Sequence, residues 1–372
     1  MTTSATEPTT TGAGTGPILE VTDLKTHFET ARGIVRAVDG VTFSLDRGKT
    51  LGVVGESGSG KTVLSRSIMG LLPKRGTIRE GSVRFDGVEI GDLSAKEMRS
   101  YWGARLAMIF QDPMTSLNPV MKIGKQITES IRQHLDVDRK YANELAENLL
   151  RSVRIPEPEQ RLKEYPHQLS GGMRQRVCIA VALACGPALL FADEPTTALD
   201  VTVQAQVLDL MATQQRERFM AVVLITHDLG VVAGRADEIA VMYAGRIVEK
   251  APTSVLFSDM KMPYTEALLS SIPKLEHASH TRLATIPGRP PNLVNPPKGC
   301  KFAPRCAYAQ DRCLEEEPPL LPGTQPGHEF RCWFPVGTPE GAEALARNRA
   351  TAAAATTATT TGEPPAVLGG TT

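Results

Sequence analysis

Apolar and polar positions begin to alternate at the strand period soon after the start of the chain. From Ile18 to about Phe85, "ILEVTDLKTHF", "VRAVDGVTFSLDRG" and "TLGVVG" predict strands, "KTVLSRSIMGLL" a helix closed by Pro73, and "SVRFDGVEI" a hairpin turning on Asp86-Gly87. "RLAMIF" over 105–110 predicts a buried strand. Over 112–176 the apolar spacing becomes helical and is broken by prolines at 113, 119, 156, 158 and 166, which predicts a helical insertion. Helix and strand then alternate through "GMRQRVCIAVALAC", "ALLFAD", "VTVQAQVLDLMATQQ", "AVVLITH", "DLGVVAGRA" and "EIAVMYAG". That order implies an α/β fold whose mainly parallel sheet carries helices on its faces.

The alternation ends near Lys250. The text beyond it is proline-rich, so 251–335 reads as a separate small extension that cannot bury much core unaided. Residues 336–372, mostly Ala, Thr, Gly and Pro, and the lead-in 1–17 are expected to be disordered. The lead-in has neither the positive opening nor the apolar stretch of a secretory signal, so the chain is expected to stay in the cytoplasm.

Composition narrows the classes. Apolar residues make up 41% of the 372, ample for a globular core. Lys plus Arg and Asp plus Glu number 41 each, so no whole-chain field points to nucleic acid or an anionic bilayer. The longest apolar-leaning run, Val177 to Ala192, falls short of the roughly 20 residues a membrane helix needs and is broken at Gly186-Pro187, so no bilayer span is expected. Six cysteines in a reducing compartment are not expected to form disulfides; Cys178 and Cys185, in an apolar helical pattern, read as small core residues.

Two motifs carry the chemistry. "GESGSGKT", Gly55 to Thr62, lies between the strand "LGVV" and a helix, the context in which G-x-x-x-x-G-K-[ST] cradles phosphates. Gly55, Gly58 and Gly60 let the backbone curl so that N–H groups along the loop, through Glu56, Ser57 and Ser59, face phosphate oxygens. Lys61 is expected at the β and γ phosphates, and the Thr62 hydroxyl on Mg²⁺. "ALLFADEP" ends a strand on Asp193, a Mg²⁺ carboxylate, with Glu194 beside it to polarise the attacking water. "LSGGMRQR" then sets Ser170, Gly171 and Gly172 in a second turn before a helix N-terminus, a second anion cradle. A single nucleotide does not need two, so the economical arrangement is a dimer in which the Lys61 loop of one subunit and the Ser170 turn of the other close on the same ATP.

At this point the sequence resembles the ATP-binding cassette (ABC) ATPases. Six motifs stand in order across 18–250: Gly55–Thr62 as Walker A, Gln111 as the Q-loop glutamine, Leu169–Met173 as the signature, Asp193 and Glu194 ending Walker B, "TALD" at 197–200 as the D-loop, and His227 as the switch histidine. The resemblance implies a P-loop NTPase with a mainly parallel RecA-like core, an antiparallel β subdomain and a helical subdomain. It implies that His227 contacts the γ-phosphate and holds Glu194 and the water. Gln111 ends a buried strand and can bind Mg²⁺ or that water. Asp200 reads either as a bond across the subunit interface or as a cap for "VTVQAQVL". The family's adenine-stacking aromatic is missing from "ETARGIVRAV", which leaves Phe28, or apolar contact from Ile34 or Val35.

"FQDPMTSLNP", "YPHQLSGGMRQR", "ADEPTTALD" and "IAVMYAGRIVE" resemble, more narrowly, the ATPase subunits of the oligopeptide, dipeptide and nickel importers, and "LATIPGRPPNLVNPPKGCKFAPRC" resembles their C-terminal extension. This implies an ATPase that powers uptake of di- and oligopeptides through nucleotide-dependent dimer closure, with nickel import or a soluble non-transport ABC ATPase as alternatives. The implied partners are a second homologous ATPase subunit, two integral membrane permease subunits and an extracytoplasmic substrate-binding protein. The chain would sit peripherally at the cytoplasmic face of the membrane. Asp112 to Pro119 reads either as the docking surface for the permeases or as a plain loop.

Cys300, Cys306, Cys313 and Cys332 follow a C-x5-C-x6-C-x18-C spacing that suits soft metals. No tight zinc knuckle is present, and some ATPases of this group resemble carriers of a 4Fe-4S cluster here. A cluster is therefore expected, with zinc or free thiols as alternatives, stapling the small extension together. Phe302, Tyr308, Trp333 and Phe334 read either as its shield or as ordinary packing.

Overall fold

The computed structural model describes residues 16–197, 199–271 and 286–360. Most of the expected disordered lead-in, and the last twelve residues of the expected tail, lie outside them. The chain divides into two compact units, Met1–Ile247 and Val248–Thr372, close to the predicted boundary at Lys250.

In the first unit the early alternation forms β1 (Leu19–Thr30) and β2 (Gly33–Leu45), paired antiparallel from Leu19 opposite Leu45 to Thr30 opposite Gly33. Then come β3 (Thr50–Val54), α1 (Lys61–Ile68), β4 (Thr77–Phe85) and β5 (Val88–Glu89). Asp86 and Gly87, at φ 51° and 76°, make the predicted turn between β4 and β5. The helix predicted up to Pro73 ends earlier, at Ile68, because Gly70 turns left-handed at φ 66°. Next are α2 (Ala95–Met98), β6 (Leu106–Ile109), α3 (Pro113–Ser116), α4 (Ile123–His134), α5 (Arg139–Ser152), α6 (Pro158–Arg161) and α7 (Gly171–Ala182); α3 to α6 lie in the predicted insertion, and α7 is the helix predicted from Gly172. The alternation closes with β7 (Leu189–Asp193), α8 (Val201–Arg218), β8 (Ala221–Thr226), α9 (Leu229–Ala233) and β9 (Glu238–Tyr243).

Strands β2-β1-β4-β5 form an antiparallel sheet, and β9-β3-β8-β7-β6 a parallel one. β7 and β8 are buried at every position, as central parallel strands covered on both faces must be. Inward residues of both sheets, among them Leu24, Val41 and Phe85 from one and Leu51, Phe191 and Ile225 from the other, share one core. In α4, Ile123, Ile127 and Ile131 recur every fourth residue and are buried. Because β3, β6, β7 and β8 run parallel, their C-terminal ends lie along one edge of the sheet, and the segments that leave them carry Gly55, Gln111, Glu194 and His227.

The chain enters the second unit along β10 (Arg246–Pro252) and continues through α10 (Thr253–Asp259), α11 (Pro263–Ser270), α12 (Asp311–Glu315), β11 (Leu321–Pro322), β12 (Glu329–Phe330) and α13 (Pro339–Thr360). Glu249 is fully buried there, accepting from the Lys261 and Met262 backbone N–H groups at 2.6 and 3.2 Å and lying 2.9 Å from His328 Nε2. Tyr264 packs edge-on against Phe302, and the Tyr308 hydroxyl donates to Glu266 at 2.8 Å. Burial and the hydrogen bonds to Glu249 therefore hold this unit, which the sequence reading assigned to a metal staple, although His328 Nδ1 is buried with no partner among the described residues. Four cysteines do line one cavity, yet among the described residues no group of three or more His, Cys, Asp or Glu side chains is arranged to hold a metal ion.

The tail also departs from expectation. Residues 339–360 are helical rather than disordered. Alanine is the strongest helix former, and Gly341, Ala344, Leu345 and Asn348 recur at three- and four-residue spacing on the less exposed face of α13. Asn348 Nδ2 donates to the Ala307 and Ala309 carbonyls at 2.9 and 2.8 Å, and Gln310 Nε2 to Asn348 Oδ1 at 3.0 Å.

Candidate functional site

The loop after β3 closes tightly. Gly60, at φ 104°, passes so near β2 that a Cβ there would stand 2.2 Å from the Ala37 carbonyl oxygen, and Gly58, at φ 81°, needs a conformation that side chains rarely adopt. Lys61 is 5% exposed and folds back on the loop, its Nζ donating to the Gly55 and Glu56 carbonyls at 2.8 and 3.1 Å. Burial lowers its pKa, opposed by the carboxylates of Glu194, Asp193 and Glu56. A cation held by carbonyls and short of solvent is suited to an incoming polyanion.

Thr62, in the first turn of α1, donates through Oγ1 to Asp193 Oδ1 at 3.0 Å. Asp193 is fully buried at the end of β7, and burial raises its pKa against the Thr62 hydrogen bond and the Arg66 charge. Its Oδ2 and the Ser59 hydroxyl are buried with no partner among the described residues. An orphaned carboxylate oxygen beside a threonine hydroxyl is a hard-oxygen donor set that fits Mg²⁺.

Glu194 follows at φ 46°. Its Oε2 accepts from Gln111 Nε2 at 3.1 Å and Thr197 Oγ1 at 3.0 Å, and lies 3.4 Å from His227 Nδ1. Oε1 has no partner. The structure thus brings together Gln111, Asp193, Glu194 and His227, expected from sequence, and adds Thr197, which sequence reasoning missed. It stands first in the "TALD" motif, but only Asp200 of that motif was given a role, and a hydroxyl three residues past Glu194 is too common an arrangement to select it.

Ser170 caps α7, accepting from the Met173 N–H at 3.3 Å, and Gly171 is open to solvent. No hydrogen bond ties Ser170, Gly171 or Gly172 to the 55–62 loop among the described residues, as expected if they serve a second subunit. Asp200 caps α8, accepting from Val203 N–H at 3.0 Å, which matches one of its two readings.

Residues 38–197 match the ABC transporter family, and 248–313 the oligopeptide/dipeptide transporter C-terminal region. The oligopeptide transport ATP-binding protein OppD of Bacillus subtilis is 50% identical over 340 residues, covering 90% of this chain and 95% of that protein. The chain belongs to the ATP-binding subunits of the oligopeptide/dipeptide ABC transporters. The dipeptide transport ATP-binding protein DppD of Escherichia coli is 47% identical to this ABC subunit over 319 residues, covering 86% and 97% of the two chains. Among solved structures, the dimeric ATP-binding cassette MJ0796 bound to ADP and Pi superposes with a TM-score of 0.57 at 24% identity, over 63% of this chain and 98% of that one, which shows the fold.

Four of the six cysteines of this ABC subunit lie in its second unit. Cys300, Cys306, Cys313 and Cys332 line one cavity with Phe302, Tyr308, Trp333 and Phe334, and Cys300 N–H donates to the Cys313 carbonyl at 2.8 Å. Burial pushes Cys300 up to about 11 and Cys306 up to about 12, and raises Cys313 and Cys332 as well. They are neutral thiols at physiological pH.

Proposed function

We propose that this chain is the ATP-hydrolysing subunit of an importer of di- and oligopeptides. The observation that carries the reading is the Glu194 carboxylate, held through one oxygen by Gln111, Thr197 and His227 beside the Lys61–Thr62–Asp193 cluster. Lys61 and the loop N–H groups bind the phosphates of ATP, and Thr62 and Asp193 hold Mg²⁺, which supplies charge neutralisation at the phosphates. Glu194 takes the proton of the attacking water through Oε1, while Gln111 and His227 orient it. Ser170, Gly171 and Gly172 complete the site on a second subunit, and Asp200 lies at that interface. A related second ATPase chain is the partner we favour, because one set of motifs occurs here.

No helix among the described residues is long and apolar enough to cross a membrane, so passage belongs to two permease subunits, fed by an extracytoplasmic binding protein. Docking at the cytoplasmic membrane face is supported by an apolar cavity of about 330 Å³ beside the 112–119 segment, lined by Leu71, Trp102, Phe110, Leu117, Cys178 and Val181. Reconstituting the complex in vesicles and measuring ATP-dependent uptake of labelled dipeptide against nickel tests the reading. Nickel uptake without dipeptide uptake would replace peptide with metal as the cargo.

For the cysteines we propose a 4Fe-4S cluster, with zinc as the alternative. What supports it is four thiols lining one cavity, Cys300, Cys306, Cys313 and Cys332, which would be the ligands; as placed they do not converge as a ligand set. A colourless, iron-free full-length preparation would remove the cluster.

A further inference from the structure

A second cavity, of about 300 Å³, lies in the first unit between the end of α1 and the antiparallel sheet, and none of the nucleotide-site residues line it. Arg79 stands in its wall. Arg79 Nη1 donates to the Gly91 carbonyl at 2.9 Å, while Nε and Nη2 are buried with no partner among the described residues. Those two N–H groups share one edge of the guanidinium, the edge that matches both oxygens of a carboxylate. Thr77 precedes Arg79 by two residues on β4 and so shares its face, and its hydroxyl is likewise buried and unpartnered. Buried donors left without acceptors are costly, and here three belong to side chains that line one cavity.

Charge and surface select the ligand class. The acids acting on Arg79 are Glu89, already engaged by Ser82, Val83 N–H and Gly91 N–H, and the exposed Asp92; Lys74 lines the same cavity. Two acids beside the guanidinium disfavour a dianion but tolerate a monoanion. Ile68, Leu72, Ile90, Leu93 and Met98 supply apolar wall. We propose that this cavity binds a small organic monocarboxylate, its carboxylate on the Nε/Nη2 edge of Arg79 and the Thr77 hydroxyl, its apolar body against Leu72 and Leu93. Two sources carry that group: a free short-chain acid, and a dipeptide, whose ammonium would face Asp92.

Isothermal titration of the full chain, with saturating ADP occupying the phosphate loop, uses hexanoate, leucyl-leucine and inorganic phosphate as separate probes. Saturable heat is expected from at least one carboxylate and not from phosphate. Arg79→Lys keeps the charge and removes the fork, and should weaken binding about tenfold or more. Thr77→Val keeps the shape, should weaken binding severalfold, and serves if the Arg79 variant melts early. Tighter binding of hexanoate assigns free acids, and tighter binding of leucyl-leucine assigns the peptide. The proposal is overturned if neither carboxylate binds saturably, if phosphate binds in their place, or if both variants bind as the unmodified chain does.

Discussion

Glu194 occupies a left-handed backbone conformation that costs a non-glycine residue on the order of 1 kcal/mol or more, and the Gln111, Thr197 and His227 contacts offset that cost. Because all three meet Oε2, they fix which oxygen faces water. Losing one hydrogen bond to a charged group costs roughly 1.5–3 kcal/mol, so Thr197→Ala should lower kcat about tenfold or more with KM for ATP unchanged, and Thr197→Ser should restore it. An undiminished kcat in Thr197→Ala would take the hydroxyl out of the site. Asp193 gives the opposite kind of test. Burial raises its pKa, so the folded chain binds its proton more tightly than the unfolded chain, and this contribution to stability falls as pH rises through the carboxylate range. At neutral pH the ionised group therefore destabilises the metal-free fold. Asp193→Asn should raise the melting temperature by a few degrees while abolishing the Mg²⁺-dependent gain seen with ATP. A lower melting temperature in the variant would show that the charge stabilises instead.

Among the elements, α13 makes the clearest prediction. Asn348 and Gln310 tie it to the 306–310 turn, which carries Cys306 into the thiol-lined cavity. A chain ended at residue 338 should therefore alkylate at Cys306 about tenfold faster than the full chain, with Asn348→Ala in between. Equal rates in all three would mean that the helix does not guard the thiol. The same element marks where sequence reading stopped. β3, β7 and β8 were legible because runs such as "LLFA" and "AVVLI" are apolar throughout, and the phosphate loop because its glycines and Lys61 have one use in that strand-to-helix context. α13 was missed because its Ala- and Thr-rich text was weighed by hydrophobicity, whereas its docking rests on helix propensity, small residues and a single Asn. Glu249 and His328 were missed because no local pattern links residues 79 positions apart. The four cysteines were read as a staple from spacing, the resemblance to the importer ATPases and the small size of the extension, none of which can show that burial and hydrogen bonds hold the unit.

At the scale of the whole molecule, one chain supplies the Lys61 loop and, unconnected to it, the Ser170 turn, so hydrolysis should need two subunits. ATPase activity per subunit is expected to rise steeply with concentration or on adding the partner ATPase, and a rate independent of both would contradict shared sites. The central claim is that Glu194 is the base of an ATPase that drives transport. Its most direct test is Glu194→Gln in the assembled transporter, with ATP binding and turnover measured on the same preparation. Turnover should fall by about 100-fold or more with ATP affinity unchanged, because the amide keeps the shape and loses the proton acceptor. Turnover at the unmodified rate would contradict the claim.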